Sequence, residues 1–128
     1  MPAICADHFT IVTDRLGETR RFYEAFGFRV GPRPDIPIDG LWMYLGDHPS
    51  LHILVTDRMP EPRRGVLDHM AYRAADLPAV CATLQAMGVR YSLRKMAAPL
   101  DDWQMFFDDP NGVTVEFDFV GSETGVPT

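Results

Sequence analysis

The sequence predicts an α+β domain: two βαβββ modules forming a curved, cleft-forming mixed sheet with helices on the outside. Three observations predict it. The chain repeats itself at a single offset, each copy runs through strand-like and helix-like patterns in the same order, and each copy closes on a hairpin-like pair of strands. Asp7-His8 recurs as Asp68-His69, and Gly27-Phe28-Arg29 recurs as Gly88-Val89-Arg90, both at an offset of 61 (68 − 7, 88 − 27). Four identities held at one offset without a gap are hard to obtain by chance.

The elements follow in order. Phe9-Thr10-Ile11-Val12 and Met70-Ala71-Tyr72 alternate as half-buried strands do. A helix is expected from about Gly17 to Phe26, with Phe22, Tyr23 and Phe26 on one side. A second starts at Asp76, a good N-cap with Pro78 in the first turn, and continues through Leu77, Val80, Leu84 and Met87. Cys81 on this helix reads as a small buried hydrophobe. Gly27 and Gly88 fall where a helix ends in a left-handed residue. The hairpins are Trp42–Leu45 with Leu51–Val55, across a turn from Gly46 to Ser50, and Gln104–Phe107 with Val113–Phe117, across Asp109-Pro110-Asn111-Gly112. A Pro- and Arg-rich segment from Asp57 to Gly65 links the copies. One domain is expected over 1–120, with modules at about 6–56 and 66–119 and a flexible tail at 121–128.

Bulk properties set limits. At 128 residues the chain is long enough for one ordinary core, and its 46% apolar and 23% charged residues are average for a globular protein. A net charge of −6 argues against a phosphate-backbone binder, because nothing neutralises a polyanion. No apolar run approaches the roughly 18 residues of a membrane-spanning helix. No signal peptide is expected from the start, Met1-Pro2-Ala3-Ile4-Cys5, and Cys5 and Cys81 lack metal or redox spacing. A reducing cytoplasm is the expected compartment.

The repeat also points to a metal. Two modules related by a pseudo-two-fold axis would bring equivalent positions together. His8 and His69 are equivalent, while His52 and Glu116 fall at matching places on the last strands once a slightly different turn length is allowed. Glu116 shares a face with Thr114 and Asp118, opposite Val113, Val115, Phe117 and Phe119. A carboxylate facing a β concavity is costly unless it is paired or ligating. Imidazoles with one carboxylate suit Fe, Mn, Ni, Co or Zn as a divalent ion and leave positions open for substrate. His52 is read as ligand, base or pocket lining. His48, beside Pro49, is expected at the solvent surface.

Three stretches together resemble the glyoxalase / bleomycin-resistance / extradiol-dioxygenase superfamily, the vicinal oxygen chelate proteins. They are His8-Phe9-Thr10-Ile11-Val12 with Phe22-Tyr23 and Phe26-Gly27-Phe28; Leu67-Asp68-His69-Met70-Ala71; and Phe107-Asp108-Asp109-Pro110-Asn111-Gly112 with Val115-Glu116. The resemblance covers about Asp7 to Phe119. It implies one divalent transition metal per site on His8, His69 and Glu116, with His52 at a fourth family position. It further implies a homodimer and a small-molecule substrate.

For activity, the resemblance favours a glyoxalase-like lyase or isomerase on a small oxygen-rich metabolite. The metal chelates two neighbouring oxygens, and Glu116 or His52 moves a proton. The second reading is an Fe(II) extradiol dioxygenase, which suits a His at 52 but not Phe106, where that family usually has Tyr. The third is a metal-free small-molecule-binding protein of the resistance type, for which a His/His/Glu set has no use. Trp42, Tyr44, Trp103 and Phe106 are candidate substrate-lining aromatics, with core or dimer-interface packing as the alternative. Gln104 and Arg33 are candidate polar contacts.

Overall fold

The computed structural model describes residues 2–127. The elements run β1 (Phe9–Thr13), α1 (Leu16–Glu24), β2 (Arg29–Gly31), β3 (Gly40–Leu45), β4 (His48–Val55), β5 (Met70–Arg73), α2 (Leu77–Ala86), β6 (Tyr91–Lys95), β7 (Trp103–Asp108) and β8 (Thr114–Phe119). The chain divides after Arg63 into two compact units, so each module of the repeat folds as one. Each carries a four-stranded mixed sheet, ordered β1-β4-β3-β2 in the first and β5-β8-β7-β6 in the second. The first and last strands of a module pair in parallel and the others antiparallel.

The repeat holds at the level of single hydrogen bonds. In α1, Gly27 turns left-handed at φ 92°, and the Phe28 N–H closes back on the Tyr23 carbonyl at 3.2 Å. In α2, Gly88 does the same at φ 69°, with the Val89 N–H on the Leu84 carbonyl at 2.9 Å. Both are helix ends closed by a left-handed residue and a bond spanning six residues. The starts differ. Asp76 caps α2 by accepting from the Ala79 N–H at 3.4 Å. Arg15 gives α1 no side-chain cap, and there the buried Thr13 and Thr19 hydroxyls bond each other at 3.0 Å while Thr13 accepts the Arg15 N–H.

Strand alternation then sets the cores. The first module buries Ile11, Phe22, Tyr23, Phe28, Met43, Leu51 and Ile53; the second buries Met70, Leu77, Cys81, Leu84, Met105, Phe107, Val115, Phe117 and Phe119. The Asp109 carboxylate, buried in the β7–β8 turn, accepts the N–H groups of Asn111 and Val113, which is why Asp-Pro-Asn-Gly makes that turn.

Three expectations shift. β4 begins at His48, so the first hairpin turns on Gly46 and Asp47 alone. The extra residues of the second module also lie elsewhere than the hairpin. Val30 pairs Met43 and Tyr91 pairs Phe107, while Met43 pairs Leu51 and Phe107 pairs Val115. The offset therefore grows from 61 to 64 (107 − 43) before the hairpin, in the β6–β7 connection. Finally, the segment after Phe119 is laid against the second module. The Glu123 carboxylate accepts the Asp76 N–H at 2.8 Å, and Lys95 donates to the Gly121 carbonyl at 2.8 Å. Thr128 lies outside the described residues. No helix among those residues is long and apolar enough to cross a membrane.

Two glycines should respond oppositely to alanine. Gly88→Ala, at positive φ with open space around it, is expected to cost about 1–2 kcal/mol from backbone strain alone. Gly17→Ala, inside α1 and meeting only the flexible Arg21 side chain at 3.4 Å, should gain about 0.5 kcal/mol. Urea midpoints at unchanged slope would measure both.

Candidate functional site

The parallel ladders decide which side chains of a module can meet. Thr10 pairs with His52 in β1–β4, and Ala71, 61 positions beyond Thr10, pairs with Glu116 in β5–β8. His52 and Glu116 therefore occupy the same rung of the repeated sheet. On the antiparallel side, Trp42 pairs with His52 and Phe106 with Glu116. Each module accordingly gathers one histidine before its first strand, one polar residue on its last strand and one aromatic on the strand between.

In the first module this makes a stack of three rings. His52 lies between His8, with ring centroids 3.7 Å apart, and Trp42, with centroids 4.0 Å apart, each ring within 14° of parallel to it. Asp7 holds the His8 Nδ1 at 2.8 Å. His48 is exposed and reaches the Asp7 carbonyl at 2.7 Å. Burial, and then the neighbouring His8, hold the His52 imidazole below the usual histidine range, with a hydrogen bond to the Pro49 backbone opposing. His52 Nε2 is buried without a hydrogen-bond partner among the described residues.

The second module holds a connected polar chain. Asp68 Oδ2 lies 2.8 Å from His69 Nδ1, and His69 Nε2 lies 3.0 Å from Glu116 Oε1. Gln104 donates to Glu116 Oε2 at 3.3 Å, and its own carbonyl oxygen accepts from Arg94 Nε at 3.0 Å. Phe106 sets its ring edge-on to His69 with centroids 5.6 Å apart, while the Arg94 guanidinium lies 5.4 Å over that ring. Glu116 is only 6% exposed. Burial, and then the adjacent Asp118 carboxylate, push the Glu116 carboxyl up to about 7 against the pull of His69 and Arg94. The Asp68 hydrogen bond raises His69.

Of the residues singled out from sequence, His8, His52 and Trp42 meet in one module, and His69, Glu116, Gln104 and Phe106 meet in the other. Tyr44 stands apart. Its ring packs where a Gly31 side chain would be, and its hydroxyl donates to the Pro32 carbonyl at 2.5 Å. Trp103 pairs with Phe119 and alternates with the buried Met105 and Phe107, so it lies on the core face, away from Glu116. Arg33 spends Nη2 on the Ile38 carbonyl at 2.5 Å. The sequence reading assigned no role to Asp7 and Asp68, although the repeated Asp-His dipeptide was the signal. It also gave none to Arg94, which nothing local marks.

Among the described residues, no three His, Cys, Asp or Glu side chains gather as a metal-holding group; each module holds a pair. The donor chemistry nevertheless fits a divalent ion. Both Asp-His dipeptides tie Nδ1 and leave Nε2 as the ligating nitrogen, the usual support for a metal-bound imidazole. His52 Nε2 is an orphaned buried acceptor, and Glu116 is a buried carboxylate beside an imidazole.

In metal-free protein the His52 titration should lie below 6.5, and Trp42→Ala, by wetting the ring, should move it upward. Because the unfolded chain protonates this histidine first, its contribution to stability is present above 6.5 and is lost as the pH falls toward the folded value. Imidazole NMR shifts across pH 4–8 in both proteins would check this; equal midpoints would contradict it.

The chain matches the family model of the Glyoxalase/Bleomycin resistance protein/Dioxygenase superfamily over residues 6–117. Solved structures with the same fold include a Bacillus anthracis protein assigned to the glyoxalase family, at 23% identity and TM-score 0.73 over 92% of this chain and 96% of that one. A glyoxalase family protein from Enterococcus faecalis is 28% identical, with TM-score 0.63 over 87% and 94%. A glyoxylase/bleomycin resistance protein/dioxygenase domain from Frankia sp. EAN1pec is 16% identical, with TM-score 0.73 over 92% and 98%. No curated protein matches the chain. With its two βαβββ modules and a match over nearly its whole length, the chain belongs to the Glyoxalase/Bleomycin resistance protein/Dioxygenase superfamily.

Proposed function

We propose that the protein is a divalent-metal-dependent lyase or isomerase of the glyoxalase type, acting on a small oxygen-rich metabolite. The observation that carries this reading is the Asp68–His69–Glu116 chain, in which an oriented imidazole presents Nε2 to a buried carboxylate 3.0 Å away. His69 and Glu116 would hold the ion with His8, and His52 would serve as a fourth ligand or as a base. A metal-free resistance protein would have no use for these groups.

Bound there, a divalent ion would supply Lewis-acid polarisation of two neighbouring substrate oxygens. The chain's own residues do the rest. Asp68 fixes the His69 tautomer, so the ring cannot swing its nitrogens. Arg94 fixes the Gln104 amide, and Gln104 donates to Glu116 Oε2 while His69 Nε2 lies against Oε1, so both carboxylate oxygens are held in place. Glu116 takes the proton from the carbon next to the polarised carbonyl and returns it to the neighbouring carbon, so no net proton is gained or lost. Phe106 packs its ring edge-on against His69 and helps hold that ring's position. His52, neutral near pH 7, is a second acceptor of suitable strength.

A specific observation also favours the ring-cleaving dioxygenase as the second reading: the His52 Nε2, buried and without a hydrogen-bond partner among the described residues, is an imidazole nitrogen available for acid–base work. Homodimerisation in the cytoplasm completes the proposal. Its support is that β1 and β5 each lie at an edge of their four-stranded sheet, where a further strand could pair.

Mass spectrometry of untagged protein is expected to find close to one transition metal per chain, with His69→Ala and Glu116→Gln each losing most of it. Asp68→Asn should weaken metal binding about 10–100-fold. Isomerisation of 2-hydroxycarbonyl or hemithioacetal substrates, without oxygen consumption, is expected for the metal-loaded enzyme. Oxygen uptake with catechols after anaerobic Fe(II) loading would replace the first reading with the second, and failure to take up any metal would end both.

A further inference from the structure

The polar chain in the second module has a neighbour on the same face of its sheet. A cavity of about 450 Å³ is lined by Arg64, Arg90, Ser92, Phe106, Asp108 and Thr114, among others. Phe106 pairs with Glu116, and Asp108 with Thr114, the next rung on that face, two residues along each strand. Ser92 pairs with Phe106 from the other side. The cavity therefore adjoins the His69–Glu116 pair and shares the Phe106 ring with it. Its volume suits a small organic molecule.

The charges of the lining are unequal. Asp108 is fully engaged, with Oδ2 2.7 Å from Arg64 Nη2 and Oδ1 accepting from the Thr114 hydroxyl at 2.9 Å. Arg64 also donates to Thr114 at 2.7 Å, which fixes its guanidinium plane at the cavity wall. Arg90 has no hydrogen-bond or ion-pair partner among the described residues. One carboxylate thus faces two guanidinium groups, in a protein whose net charge is −6. An excess cation beside an aromatic ring is what an organic anion requires: the guanidinium fork matches the oxygens of a carboxylate or phosphate, and the ring takes the apolar remainder.

We propose that this cavity is the specificity pocket for the substrate's anionic end, with Arg90 as the recognising residue, Arg64 as its held partner and Phe106 as the wall. The substrate class is then a small carboxylate or phosphate ester whose oxygen-bearing carbons reach the His69–Glu116 pair. This rests on the metal-enzyme reading for the reaction, but the anion site is tested without it.

The experiment uses the full chain stripped of metal, so that no ion can itself attract the anion. Benzoate, phenyl phosphate and neutral benzyl alcohol are titrated separately, and amide NMR shifts are followed. At least one anion should move the signals of Arg90, Ser92 and Phe106, while benzyl alcohol at the same concentration should not. A response to only one anion supports the pocket and selects that chemistry. Arg90→Ala should weaken the anion at least tenfold at an unchanged melting temperature, Arg90→Lys should restore part of the affinity, and Arg20→Ala on α1 should change nothing. Equal binding of benzyl alcohol, no binding by either anion, or an Arg90→Ala protein that binds like wild type would overturn the proposal. Metal uptake by the same proteins separates the two ideas. Anion binding without metal uptake removes only the enzyme reading, and metal uptake without anion binding removes only the pocket.

Discussion

The parallel ladder between the first and last strands of each module is the constraint on which the rest depends. A strand's side chains alternate, so a slip of one residue would turn His52 or Glu116 into the core and bring an apolar neighbour to the open face. Pairing Thr10 with His52 and Ala71 with Glu116 prevents that slip. The buried sets on the opposite face, Leu51 and Ile53 in one module and Val115, Phe117 and Phe119 in the other, hold the register by hydrophobic burial. Core packing and the polar face are thus two outcomes of one alignment.

Within that frame the two modules treat their polar residues differently. His52 is sandwiched between two rings, and burial keeps it neutral. Glu116 is held in a chain of hydrogen bonds running from Asp68 through His69 to Gln104 and Arg94. Such a chain fixes orientation at several points, and each member limits the freedom of the next. The ring stack fixes a plane and leaves His52 Nε2 without a hydrogen-bond partner among the described residues.

Much of this was legible in the sequence because a repeat reports on itself. Asp-His and Gly-x-Arg at one offset located both modules, and strand parity alone put Glu116 opposite Val115 and Phe117. Parity also carries enough information to put Trp103 on the core face, since it shares that face with Met105 and Phe107, and so decides between the pocket and packing roles open to it. The three-residue lengthening before β7 was assigned to the hairpin because sequence spacing counts residues without saying which loop holds them. Arg94 could not be found at all: its role depends on pairing across from Gln104, a contact that exists only once β6 and β7 are in register. Glu123 likewise gave no signal, because a carboxylate near a chain end is ordinary until it meets the backbone N–H of Asp76.

A duplication ordinarily yields two interchangeable halves. Here a single rung, histidine in one half and glutamate in the other, breaks that equivalence, since it gives one face a neutral donor and the other an anionic one. The first half carries imidazoles without a carboxylate, whereas the second already joins an imidazole to one, so the mixed donor character of the chain enters at that one rung.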